Sequence, residues 1–95
     1  MKKPTLDVDF NEMLEPNLVL LSADDIKIDS SGKTVSLHEG MEVSIYMDDI
    51  GDDGKVDDLV ANGVVERNPS AVSWGRHVKW CCRINDDGIR NESAL

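Results

Sequence analysis

Two runs of alternating apolar and polar residues dominate the chain. In Met41–Met47 the odd positions Met41, Val43, Ile45 and Met47 fall on one side and Glu42, Ser44 and Tyr46 on the other, the signature of a half-buried strand. Residues 59–67 form a second strand-like run, interrupted by Gly63, where a bulge or sharp bend is expected. The two runs predict a β-hairpin with an eleven-residue acidic connection. Asn17–Leu21 is continuously apolar, as in a strand buried on both faces. Residues 26–28 and 34–37 alternate around Asp29-Ser30-Ser31-Gly32 and predict a smaller hairpin. In residues 77–84, HVKWCCRI, Val78, Trp80, Cys82 and Ile84 make an apolar face; His77, Lys79, Cys81 and Arg83 make a basic one. Asp87-Gly88 signals a turn before a last short strand at Ile89.

Outside these strands the signals are weaker. Residues 1–9 read as a polar lead-in and 91–95 as a tail. Asp9 and Glu12 have capping-box spacing, and Phe10, Met13 and Leu14 share a helical face. A short helical turn is therefore expected over 10–15, stopped by Pro16. Five or six short strands and one helical turn predict an all-β domain over 17–90. Curling such a sheet into a small SH3-like barrel would remove its open edges. An OB-like barrel or a small sandwich is the alternative.

The pattern NLVLLS, then GKTVSL, EGMEVSIYMDD, VDDLVANGVVE and VKWCCRI, resembles small bacterial proteins that fold as SH3-like barrels. The resemblance spans residues 17–90. It implies a fold and carries no site residues, activity or cofactor.

Composition narrows the functional classes. Ninety-five residues, 40% hydrophobic, make one small domain with a modest core. A formal net charge of −9 opposes direct nucleic-acid binding and anionic membranes, since phosphate contacts need a basic footprint. The charge is uneven: residues 1–65 carry fifteen acids and five bases, and residues 66–95 carry four acids and five bases. A basic protein partner is the sharper expectation and solubility the plainer one. Lys2-Lys3 is followed by Pro4, Asp7 and Asp9 with no apolar stretch of signal-peptide type, and two adjacent cysteines are no disulfide framework. A cytoplasmic location is expected.

Three constellations could carry chemistry. The connection 48–58 holds Asp48, Asp49, Asp52, Asp53, Asp57 and Asp58 against Lys55 alone. Two carboxylates ~7 Å apart in water repel by only ~0.6 kcal/mol, so an exposed loop tolerates them without a ligand. Set on the calcium-loop template with Gly54 sixth, Asp49, Asp53 and Asp57 fall at ligand positions. Gly51 and Val60 occupy two others, including the bidentate one. These three aspartates are the candidate metal residues, and a solvated turn is the stronger reading.

Cys81 and Cys82 point to opposite faces of a strand, and His77 lies roughly 13 Å from Cys81 at strand rise. Neither a zinc site nor a thiol nucleophile is expected, and no cofactor is assigned. Cys82 is read as a core residue and Cys81 as an exposed or half-covered thiol. Trp74, Arg76, His77, Lys79 and Arg83 form a basic stripe beside an aromatic, a candidate surface for a protein partner. Pairing with neighbouring acids is the plainer account. No nucleophile–base pair or phosphate loop is evident. The expectation is a non-enzymatic interaction module, with an acidic regulatory or immunity-type protein as runner-up and a homodimer through a strand edge as its oligomeric option.

Overall fold

A computed structural model of the chain describes residues 3–48, 54, 58–69 and 78–92. Nine strands occur among them: β1 (Thr5–Asp7), β2 (Met13–Glu15), β3 (Leu18–Ser22), β4 (Ile26–Ile28), β5 (Thr34–Ser36), β6 (Glu42–Met47), β7 (Leu59–Arg67), β8 (Trp80–Ile84) and β9 (Arg90–Asn91). The described fold is all-β.

The predicted hairpin organises the sheet. β6 and β7 pair antiparallel from Glu42 opposite Val64 to Met47 opposite Leu59. β7 also pairs with β8 and β9, giving the strand order β1-β6-β7-β8-β3-β2 with β9 attached to β7. Val43 and Ile45 of β6, Ala61 and Val65 of β7, Trp80, Cys82 and Ile84 of β8, and Val19 and Leu21 of β3 are buried in one core. The hairpin β4–β5 covers it with Val35 and Leu37. On the opposite face Leu18, Leu20, Val78 and Cys81 form a second buried cluster, with Leu14 packed against it. The continuous apolar run of β3 serves both clusters, as its pattern requires.

Gly40 and Met41 both oppose Val65: the Gly40 N–H donates to the Val65 carbonyl, and the Val65 N–H donates to the Met41 carbonyl. With φ at +88° for Gly40, this is a glycine bulge that sends the chain from β5 into β6.

Several expectations are corrected. Among the described residues the sheet is not closed into an SH3-like barrel. β1 runs parallel to β6 at one edge and β2 lies against β3 at the other. The hairpin β4–β5 meets β1 through one backbone bond, Ser30 N–H to the Thr5 carbonyl, and the ion pair Lys27–Asp7, without a ladder.

The helical turn over 10–15 is absent. The Asp9 side chain accepts the Asn11 N–H at 2.9 Å and its carbonyl accepts the Glu12 N–H, so a tight turn forms instead. The chain then enters β2, and Pro16-Asn17 connects it to β3. Proline fixes the first turn position at negative φ, which splays a two-residue hairpin, and the β2–β3 register shifts beside it.

The polar lead-in contains β1, whose Leu6 is fully buried. The turn expected at Asp87-Gly88 does form, with the Gly88 N–H on the Asn85 carbonyl and Gly88 at φ +70°, and it leads into β9, which like β8 runs antiparallel to β7.

Gly63 marks neither bulge nor bend. β7 keeps register through it, opposite Val43 on one side and Ile84 on the other. The strands simply approach too closely for a side chain: a Cβ there would collide with the Arg83 carbonyl oxygen and lie 2.6 Å from the Cys82 sulfur.

Candidate functional site

The basic stripe is only partly described, and its described members are committed elsewhere. Trp74, Arg76 and His77 lie outside the described residues, as do Asp49, Asp53 and Asp57 of the candidate metal loop. Lys79 pairs with Asp25 at 2.6 Å, and Asp25 also accepts the Trp80 indole N–H at 2.9 Å. Those two contacts, the Lys79 bond first, hold the Asp25 carboxyl below its usual value. The Lys79 ammonium and the Arg67 guanidinium each lie 5.4 Å from the Trp80 ring centre, within cation–π range.

Arg83 projects from the outer face of β8. Its Nε donates to Glu66 at 2.8 Å, and its terminal nitrogens reach Glu66, Glu15 and Asn17. The hydrogen bond to Glu66 is the largest cause of the upward shift of its guanidinium. Arg83 thus ties β8 to β7 and to the β2–β3 turn.

The cysteines are placed against thiol chemistry. Cys82 is fully buried as expected, but Cys81 is fully buried too, which corrects the reading of an exposed or half-covered thiol. Burial pushes Cys81 up to about 11 and Cys82 up to about 12, so both stay neutral thiols near pH 7. Val78, two residues before β8, joins the outer cluster with Cys81 and not the face of Trp80.

The chemistry that remains open lies where β1 and β6 meet. Asp7, Tyr46, Val60 and Arg90 align across β1, β6, β7 and β9 on the outer face. Beside them a cleft of about 470 Å³ is lined by Asp7, Asp9, Tyr46, Met47 and Asp48, among others. Burial raises the Tyr46 phenol, and the carboxylates of Asp7, Asp48 and Asp58 raise it further. Asp58 carries one carboxylate oxygen out of water with no hydrogen-bond partner among the described residues. Lys27 offsets Asp7 at 3.4 Å, and Asp48 has no ion pair among the described residues.

Sequence reasoning flagged Asp48 and Asp58 as part of the loop. It missed Asp7 and Tyr46, whose meeting depends on the parallel β1–β6 pairing that nothing local signals. Among the described residues, no three of the His, Cys, Asp and Glu side chains are set to hold a metal ion. None of their helices is long and apolar enough to cross a membrane.

Comparisons with protein-family models, with curated proteins and with solved structures find no match to this chain. The functional reading therefore rests on the chain's own surfaces.

Proposed function

We propose that this chain is a non-enzymatic interaction module that binds a basic protein partner, with the acidic cleft beside Tyr46 at the centre of the contact. The observation that carries this reading is the tyrosine flanked by Asp7, Asp48 and Asp58 on an outward sheet face. A phenol ring with carboxylates around it suits a guanidinium or ammonium group, which gains both charge and ring contacts. Asp7, Asp9 and Asp48 are spread along the cleft, an arrangement that favours an extended basic segment over a single small cation. The acidic connection 48–58 departs from the same end of β6 and adds charge that steers a basic partner in. A role in neutralising a basic target, in the manner of an immunity protein, is the second reading, favoured by the fifteen acids among residues 1–65.

The test compares two reversals of equal charge. Asp48→Lys alters the cleft, whereas Glu39→Lys alters an exposed residue beyond the other end of β6. A labelled peptide of alternating Arg and Lys should bind the first variant about tenfold more weakly, and the second within about twofold of the parent. Equal weakening by both would mean that net charge alone attracts the peptide, and the cleft would lose its role.

A further inference from the structure

The second surface that invites a partner is the free side of β5, and it differs in character from the acidic cleft. Among the described residues the hairpin β4–β5 is a sheet of two strands. Its ladder is bracketed by bonds from the Asp29 N–H to the Lys33 carbonyl and from the Leu37 N–H to the Asp25 carbonyl. By the alternation of an antiparallel pair, Lys27 and Val35 bond within the hairpin. The N–H and C=O groups of Thr34 and Ser36 then point away from β4. None of these four groups has a backbone partner among the described residues.

Thr34 and Ser36 line a cleft of about 450 Å³ that is also lined by Lys3, Pro4 and Thr5. Those three residues do not satisfy the outward groups: proline has no N–H, and the Thr5 carbonyl is already taken by Ser30.

The charge around this edge is opposite in sign to that of the molecule. Lys3 and Lys33 both line the cleft in a chain of net −9. Asp29 is the one acid among the lining residues, and its carboxylate is already engaged: one oxygen accepts the Ser31 N–H, the Ser31 hydroxyl and the Lys33 N–H at 2.7–2.9 Å. At physiological salt the distant acids are screened beyond about 8 Å, so an approaching strand meets the two lysines. On the outward face of the hairpin, Ile26 and Ile28 stand 56% and 62% exposed, opposite Ser36 and Thr34. A strand added beside β5 would extend that face with its alternate residues.

We propose that the free edge of β5 accepts an extended acidic peptide from another protein as a third strand. Backbone bonds to Thr34 and Ser36 fix its register, Lys3 and Lys33 meet its carboxylates, and β-branched residues at alternate positions continue the isoleucine face.

The probe is the capped hexapeptide Glu-Val-Thr-Val-Thr-Glu, titrated into the isotope-labelled full chain and followed by amide NMR and hydrogen exchange. Binding should slow exchange of the Thr34 and Ser36 amides about tenfold or more. Lys3→Glu combined with Lys33→Glu should weaken it about tenfold. Ser36→Pro removes one outward donor, a change that edge strands tolerate, and should abolish binding. The same peptide N-methylated at alternate amides removes ladder donors without altering the protein, and it should not bind. Absence of any change at Thr34 and Ser36 at millimolar peptide would overturn the proposal. So would equal binding of a Lys-for-Glu peptide, or amides already protected in a dimer, which would assign the edge to a second copy.

Discussion

Asp25 shows how much one exposed carboxylate can organise. It belongs to the β3–β4 connection, yet it accepts both the Lys79 ammonium and the Trp80 indole, so it fastens that connection to the start of β8. Its folded pKa is depressed below the ordinary value of 3.8. The carboxylate contribution is therefore present above about pH 4 and lost as pH falls through the folded pKa. The Trp80 indole N–H resonance should hold its position from pH 7 to about 4 and move only below that. In Asp25→Asn this acid transition should vanish. A resonance already moving at pH 5 would mean that another group controls the contact.

The two thiols titrate in the opposite sense. With folded values raised to about 11 and about 12, their contribution is intact below the ordinary value near 9 and declines as pH rises toward the folded ones. A disulfide-exchange reagent at pH 8 should leave both thiols unmodified in the native chain and modify both in denaturant. Rapid native modification of either would contradict their burial.

At the scale of elements, β7 carries the architecture, since it alone bonds to β6, β8 and β9. Gly63 is its most constrained position. A Cβ there meets a strand backbone, which cannot swing aside as a flexible side chain would. Gly63→Ala should cost about 3 kcal/mol, at the upper end of overpacking effects, read as a lower denaturant midpoint with little change in slope.

The strands themselves were legible in the sequence because alternation and turn chemistry are local properties. Val43 and Ile45, Val35 and Leu37, and the double-sided run at Leu18–Leu21 all follow from spacing alone. The failures share a cause. Asp9 and Glu12 fit a capping box as well as a tight turn, and only pairing with β3 decides between them. Cys81 looked exposed beside Lys79 and Arg83. Its strand, however, lies against β3, whose two-sided burial also covers the outer face of β8. The acidic cleft was partly visible through Asp48, and Asp7 and Tyr46 join it only through a non-local parallel pair.

For the whole molecule the sign of the charge sets a further expectation. Four ion pairs are formed among the described residues: Lys27–Asp7, Lys79–Asp25, Arg83–Glu15 and Arg83–Glu66. Exposed pairs of this kind contribute about 0–1 kcal/mol each, and salt weakens them. Against them stands a net charge of −9 on 95 residues, whose self-repulsion opposes the compact state and is also screened by salt. The pairs are few and Arg83 serves two of them, so relief of repulsion should dominate. Raising sodium chloride from about 20 mM to about 500 mM shortens the Debye length from roughly 20 Å to roughly 4 Å, enough to isolate most like charges from one another. The expected gain is about 1 kcal/mol, or a rise of roughly 4–8 °C in Tm for a domain of this size. Thermal unfolding followed by circular dichroism at the two salt concentrations measures it. A flat or falling Tm would mean that the ion pairs around Trp80 and Arg83 outweigh the acidic excess. Charge reversal at Asp48 should then leave the salt response unchanged; if repulsion dominates, it should reduce that response.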